Sequence, residues 1–175
     1  AGGTLRKTAA SRLKTYIGGG ITEIDQFRLS ARLTNPGTAD ITANLERVDD
    51  ASFSETGTGM SLSSGIFTFP STGVYRIQAV TLIYVPGGAD GSGGVQTNIS
   101  ADGTNYDIMA ITDGGNATNA GQTYLTVTSE CFVNVSNATN FRCKFTAVSM
   151  ADSRLEGNSA ANMTSFSFIR LGDSQ

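Results

Sequence analysis

The chain has 175 residues, 39% hydrophobic and only 15% charged, with 21 Gly, 18 Ser, 22 Thr, no His, no Trp and a net charge of −3. That length suits one domain with a proper core and is short for two. The missing His excludes histidine-based triads, proton shuttles and metal sites, and the composition points towards an all-β binding or structural protein rather than an enzyme.

The charge is unevenly spread. Residues 1–22 carry Arg6, Lys7, Arg12 and Lys14 and no acid, which is +4; residues 23–175 carry 8 basic and 15 acidic side chains, 8 − 15 = −7. A basic arm on an acidic body predicts that the arm docks on a separate, acidic surface, and a solvated, frayed terminus is the plain alternative. Four charges and one aromatic, Tyr16, argue against nucleic-acid binding. Within the arm, Leu5, Ala9, Leu13 and Tyr16/Ile17 recur at spacings of three and four, the pattern of a short amphipathic helix that Gly18–Gly20 ends. A helix of about 13 residues needs a partner to order it. The opening Ala1-Gly2-Gly3 fits a cytoplasmic product stripped of its initiator Met, and equally a mature chain whose leader has been cut off. The most apolar run, Ile77 to Val85, is of strand length, so no membrane span is expected.

From Ile21 the period becomes two. Phe27, Leu29, Ala31 and Leu33 alternate with polar residues as one half-buried strand, and Asn35-Pro36-Gly37-Thr38 is a turn. A second strand is expected over Ile41–Val48, then a loop from Asp49 to Ser64. Gly65–Pro70 is a strand stopped by proline, Ser71-Thr72-Gly73 turns the chain, and Val74–Val85 is the longest strand. Pro86–Gly94 reads as loop. Val95–Ser100 and Asp107–Ile111 flank a hairpin at Asp102-Gly103-Thr104-Asn105, and Asp113–Gly121 is loop again. Thr123–Val135 and Phe141–Ser149 are expected to pair about Asn137, setting Cys131 opposite Cys143 as two small buried thiols or as a cross-strand disulfide. Ala151–Asn162 is loop, and Met163–Leu171 is the last strand. Eight to ten short strands without βαβ spacing mean a sandwich or jelly roll over residues 23–175 behind the arm at 1–22.

Three segments resemble, in order, the complement-q globular head and tumour necrosis factor jelly-roll superfamily. Gln26–Thr34 is similar to its first strand. Gly65-Ile66-Phe67-Thr68-Phe69-Pro70-Ser71-Thr72-Gly73-Val74-Tyr75 resembles its G-x-F-T-x-P-x-x-G-x-Y signature, and Thr164–Leu171 resembles its closing strand. They bracket Phe27 to Leu171. The closing strand departs from the family in having Ser167-Phe168 where Gly-Phe is usual, and Ser129-Glu130 stands where Gly-Asp is usual. The resemblance implies an all-β, tumour necrosis factor-like jelly-roll β-sandwich that assembles as a homotrimer and binds ligands through its loops. A short arm joined to such a domain also resembles head-decoration and fibre proteins of tailed phages.

Catalytic motifs are absent from the sequence: no P-loop, dinucleotide fingerprint, nucleophile elbow or zinc spacing. The adjacent acids Asp49-Asp50 read as solvated loop. Asp102, Asn105 and Asp107, with Asp113 near in sequence, are a weak candidate Ca²⁺ site, though a hairpin turn wants the same residues. Tyr84, Tyr106 and Tyr124 lie near loop ends, as sugar-stacking or as core-edge residues. Asn-x-Ser/Thr triplets at Asn98, Asn116, Asn134, Asn137 and Asn162 are glycosylation sites only in a secreted eukaryotic chain. The expectation is a cofactor-free, non-enzymatic trimer on a virion surface, as capsid decoration or fibre head. Leu5, Arg6, Lys7, Arg12, Leu13, Lys14, Tyr16 and Ile17 would anchor it to other virion proteins, and a host-surface glycan is a further partner. The alternative is a soluble or secreted recognition module binding glycan or protein through 86–94 and 113–121.

Overall fold

A computed structural model describes residues 20–87, 90–115 and 121–175. Among them the chain forms thirteen strands and no helix: β1 (Ile24–Leu29), β2 (Ala31–Thr34), β3 (Gly37–Asp40), β4 (Leu45–Arg47), β5 (Ser61–Ser63), β6 (Ile66–Thr68), β7 (Gly73–Val85), β8 (Ser92–Ser100), β9 (Asp107–Gly115), β10 (Thr123–Val135), β11 (Arg142–Met150), β12 (Arg154–Asn158) and β13 (Ser165–Gly172). The front sheet runs β2-β12-β7-β13-β1-β4, with β10 on the other flank of β7; the back sheet runs β5-β6-β11-β8-β9, with β3 also on β11. The paired strands are antiparallel, so each carries one inward and one outward row of side chains.

The inward rows make the core. From the front sheet come Tyr75, Ile77, Ala79, Ile83 and Val85 of β7, Val127, Cys131, Val133 and Val135 of β10, and Phe166 and Phe168 of β13. Phe67, Val95, Ile99, Cys143, Phe145 and Ala147 answer from the back sheet. Phe67 stands 5.0 Å from both Phe27 and Phe168, and Phe145 stands 4.4 Å from Phe166. Each such ring contributes up to about 3 kcal/mol by burial, and the ring pairs add about 0.5–1.5 kcal/mol each. Two polar ties cross between the sheets. The fully buried hydroxyls of Thr97 and Ser129 bond at 2.9 Å, and Thr112 Oγ1 donates to the Thr128 carbonyl at 2.8 Å. The latter stitches β9 to β10 where the sandwich closes.

Local chemistry explains the turns. Ser64 and Gly65, both at positive φ (50° and 79°), form the two-residue link of the β5–β6 hairpin. Gly73 has φ of 153°, and a Cβ there would run into Arg170 and the Gly172 carbonyl, so glycine is required where the proline-stopped strand turns back.

The strand expectations need five corrections. The run Phe27–Leu33 is broken at Ser30, where the chain leaves β13 to pair β12; Ser30 N–H donates to the Asn44 carbonyl. Only Leu45–Arg47 of Ile41–Val48 is strand, because Asn44 takes φ of 59° and its amide donates to the Ala31 and Arg32 carbonyls. The loop expected over Ala151–Asn162 contains β12, a short strand whose Leu155 is fully buried. The loops expected at 49–64, 86–94 and 113–121 are likewise shorter, with β5, the start of β8 and the end of β9 inside them. Finally, β10 and β11 do not pair. Alternation in each is set by a different partner, β7 for one and β6 and β8 for the other. Cys131 therefore lies opposite Ile77 in the front sheet and Cys143 opposite Ile99 in the back sheet, both as free, buried thiols facing the shared core.

Candidate interaction surface

The outward row of the front sheet is where the fold leaves apolar material in water. On β7 this row is Val74, Arg76, Gln78, Val80, Leu82 and Tyr84; on β10 it is Tyr124, Thr126, Thr128, Glu130, Phe132 and Asn134, the two rows lying side by side in register. On the other side of β7, Ile169 lies opposite Arg76 and Ser167 opposite Gln78. Phe132 is 57% exposed and Tyr124 62%. Arg76 and Glu130 are the only charges along these two rows, and they pair with each other. Aromatic enrichment and charge depletion are what distinguish the centre of a protein interface from ordinary surface.

A second apolar surface sits beside it. β9, the edge of the back sheet, leaves Ile108, Met109 and Ile111 about half exposed, and a register shift between Thr97 and Asn98 sets this stretch apart from regular pairing. The two surfaces are unlike one another. Two dissimilar surfaces on one chain are what a head-to-tail contact needs, and such a contact gives a ring where the rotation closes and a filament where it does not.

At one end of the front face, Tyr84 is buried beneath Arg154, whose guanidinium carbon lies 3.9 Å from the ring centroid, while Tyr124 meets Tyr84 edge-on at 5.2 Å. Arg154 Nε donates to Glu156 at 2.8 Å. Tyr84 is thus a core-edge residue, and Tyr124 alone of the pair offers a ring to solvent. Tyr106 precedes β9 at the other sheet, its ring 4.4 Å from Lys144 Nζ. The three tyrosines do not form one site.

Asp102, Asn105 and Asp107 are not brought together as a cage. Asp102 Oδ1 accepts from Ser100 Oγ and from the backbone N–H groups of Thr104 and Asn105, and Oδ2 accepts from the Asn105 amide at 2.7 Å. The Asn105 bonds foremost hold its pKa well below the usual carboxylate range. Asp107 begins the next strand. Among the described residues no group of three or more Cys, Asp or Glu side chains is placed to hold a metal. Asp49 and Asp50, with Glu46, are spent on Arg28, a guanidinium only 1% exposed that donates to all three at 2.5–2.8 Å. The Glu46 hydrogen bond foremost raises the Arg28 pKa further. Of the glycosylation triplets, Asn98 is buried and its amide donates to Thr146.

The ends of the sandwich differ. The first described residues enter beside Gly73, since Ile24 lies opposite Ile169, which lies opposite Arg76. Pro86 and Gln122 leave from the other end, where Val85 meets Thr123. The length of β7 from Gly73 to Val85 separates the two ends, about 40 Å at ~3.3 Å per residue. The arm residues Leu5, Arg6, Lys7, Arg12, Leu13, Lys14, Tyr16 and Ile17, with the helix expected over 5–17, lie outside the described residues, as do 88–89 and 116–120 of the two loops.

No protein-family model matches the chain, and no curated protein sequence matches it. Solved structures do. An Eiger TNF from S. frugiperda superposes with a TM-score of 0.67 at 12% identity, covering 89% of this chain and 96% of that one. Murine APRIL at pH 8.5 superposes with a TM-score of 0.60 at 11% identity, covering 85% and 98%. The fold is the TNF-like jelly roll. The TNF-like likeness spans nearly the whole of those domains, and at such identity it speaks for architecture alone.

The exposed front face carried a sequence signal that period-two reading passes over. In β10 both phases hold large apolar residues: Leu125, Val127, Val133 and Val135 in one, Tyr124 and Phe132 in the other. A strand apolar on both phases has neighbours on both faces. The apolar edge of β9 gave a weaker hint, three large side chains within four residues.

Proposed function

We propose that this chain is a non-enzymatic homotrimeric display module, its copies packed head to tail so that the β9 edge of one lies on the front-sheet face of the next. The observation that carries this reading is the charge-poor row with half-exposed Phe132 and Tyr124 on a TNF-like fold. The count of three comes from the family resemblance. In such an assembly the loops at 86–94 and 113–121 gather at one end and present a recognition surface for protein or glycan. The first described residues of the chain lie at the opposite end.

The finer reading places the module on a virion surface, with residues 1–22 as the anchor. Its support is the split between an arm of +4 and a body of −7, together with the opposed ends of the sandwich. Sedimentation of the purified chain tests the first part: one species of three times 18.2 kDa is expected, and a monomer at every concentration overturns it. Removal of residues 1–20 tests the second. The body should still trimerise but no longer co-sediment with particles, and undiminished attachment rejects the anchor.

A further inference from the structure

We propose that Arg76, Gln78 and Glu130 fix the register and the number of the copies in the assembly; this rests on the trimer reading above. The three sit in the middle of the front face. Arg76 lies between Phe132 and Ile169, and Gln78 between Glu130 and Ser167, with Val74 on one side of them along β7 and Val80 and Leu82 on the other. The hydrogen bonds within the group converge on one oxygen. Glu130 Oε2 accepts from Arg76 Nε at 2.9 Å, from Arg76 Nη2 and from Gln78 Nε2 at 3.0 Å. Oε1 accepts nothing from the described residues, and Arg76 Nη1 donates to nothing among them. The pair is about one-third exposed in the single chain, so water serves these two atoms there.

Association removes that water. A desolvated carboxylate oxygen and guanidinium N–H without partners are far costlier than the contacts around them are favourable. The group therefore penalises each packing of the face except those that return an acceptor to Nη1 and a donor to Oε1. It keeps Arg76 Nη1 as an unused donor and Glu130 Oε1 and Gln78 Oε1 as unused acceptors, and it is neutral as a pair, so what covers it must bring both an acceptor and a donor without net charge. The β9 edge of a second copy of this chain fits that chemistry: its half-exposed stretch from Ile108 to Thr112 is uncharged, and on its outer side the strand has no partner strand for its backbone N–H and C=O groups. A polar group inside an otherwise apolar contact is known to specify register and stoichiometry at a cost in stability.

The test compares three proteins by native mass spectrometry and sedimentation, with circular dichroism to confirm the fold. The wild type should give one oligomer. Arg76→Met combined with Glu130→Leu should associate at least as tightly but give several stoichiometries. Glu130→Gln, which keeps the shape and leaves Arg76 unneutralised, should weaken association at least tenfold. A double variant that still forms only the wild-type oligomer, or a Glu130→Gln protein that associates with unchanged affinity, overturns the inference. A wild type that stays monomeric overturns the trimer reading beneath it. Should the double variant fail to fold, Glu130→Gln decides alone.

Discussion

The two outer faces of the sandwich are built on the same strand geometry and finished differently. On the back sheet, Asn98 donates to Thr146 Oγ1, which donates to Asp40 Oδ1 at 2.6 Å, while Lys144 donates to Asp40 Oδ2 at 2.8 Å and lies over the Tyr106 ring. Both Asp40 oxygens are used. Burial works to raise the Asp40 pKa, but the bonds from Lys144 and Thr146 outweigh it and lower the value overall. On the front sheet the one ion pair along β7 and β10 leaves an oxygen over, and large apolar side chains surround it. Away from Ile108 and Ile111 on the β9 edge, and the Tyr106 hydroxyl apart, the back face has polar groups that satisfy one another and is finished for water. A face with apolar rings and spare hydrogen-bonding atoms is unfinished until another surface covers it.

The most direct way to break this contrast is a charge on each face. Phe132→Glu should leave the fold intact and convert the oligomer to monomers, raising the dissociation constant at least about a hundredfold, as expected for loss of a central aromatic anchor. Ser63→Glu, on the exposed row of β5 at the other edge of the back sheet from β9, should leave the sedimentation coefficient unchanged. Equal effects from both substitutions would erase the distinction between the faces.

Arg28 sharpens the comparison from within one chain. By register it belongs to the outward row of the front sheet, opposite Ser165, yet it is sealed by Glu46, Asp49 and Asp50 from the neighbouring segment. Here the chain itself supplies the cover that the middle of the face lacks. Arg28→Met leaves three acids around an uncharged stem. It should lower the melting temperature by several degrees without changing the oligomer at low temperature, and an unchanged melting curve would deny the cluster a structural role.

Much of this was legible in the sequence where local chemistry decides. The bounds of β10 follow from its alternation, Pro70 and Gly73 mark the turn they make, and the hairpin at 101–106 is written in Asp102-Gly103-Thr104-Asn105. What failed was partner choice. Alternation says which residues share a face and nothing about which sheet the strand joins, so the symmetric placement of Cys131 and Cys143 suggested a hairpin where the chain crosses between layers. The break at Ser30 was also hidden, because its cause is Asn44, fourteen residues away. The apolar β9 edge needed the topology to be seen as an edge.

A smaller effect is expected at the back sheet's own turn. Asp102 caps the backbone N–H groups of Thr104 and Asn105, and hydrogen bonding to the charged form, from Asn105 first, depresses its pKa in the folded chain. Its contribution is present above the unfolded value of about 4 and is lost as pH falls through the folded one. Asp102→Asn should therefore be less stable than wild type at pH 7, with the gap closing progressively below about pH 4. A gap that persists undiminished at pH 2 would mean the loss is steric rather than electrostatic. Denaturant titration at the two pH values reads the difference.

The smallest signal should come from between the faces. Cys131 is pushed up to about 11 by burial, with Glu130 adding to the shift, and fully buried Cys143 is raised well above an ordinary thiol by burial and then by Cys131. At pH 8 a thiol of pKa about 11 is roughly one-thousandth ionised, and the thiolate is the reactive form. Both residues also lie behind the sheets, so the native protein should resist alkylation and consume reagent only on unfolding. The same shift sets an alkaline limit. A folded pKa above the unfolded value of about 8.5 means the thiols favour the fold below that pH and lose this contribution as pH rises through the folded values. Replacement of Cys143 by Ala should flatten that alkaline decline while leaving the oligomer unchanged, because the thiol faces the core shared by the two sheets and neither outer surface. Alkylation of one thiol at the native rate of a free cysteine would place it at a surface, and the contrast between a sealed interior and one open face would then fail from the inside.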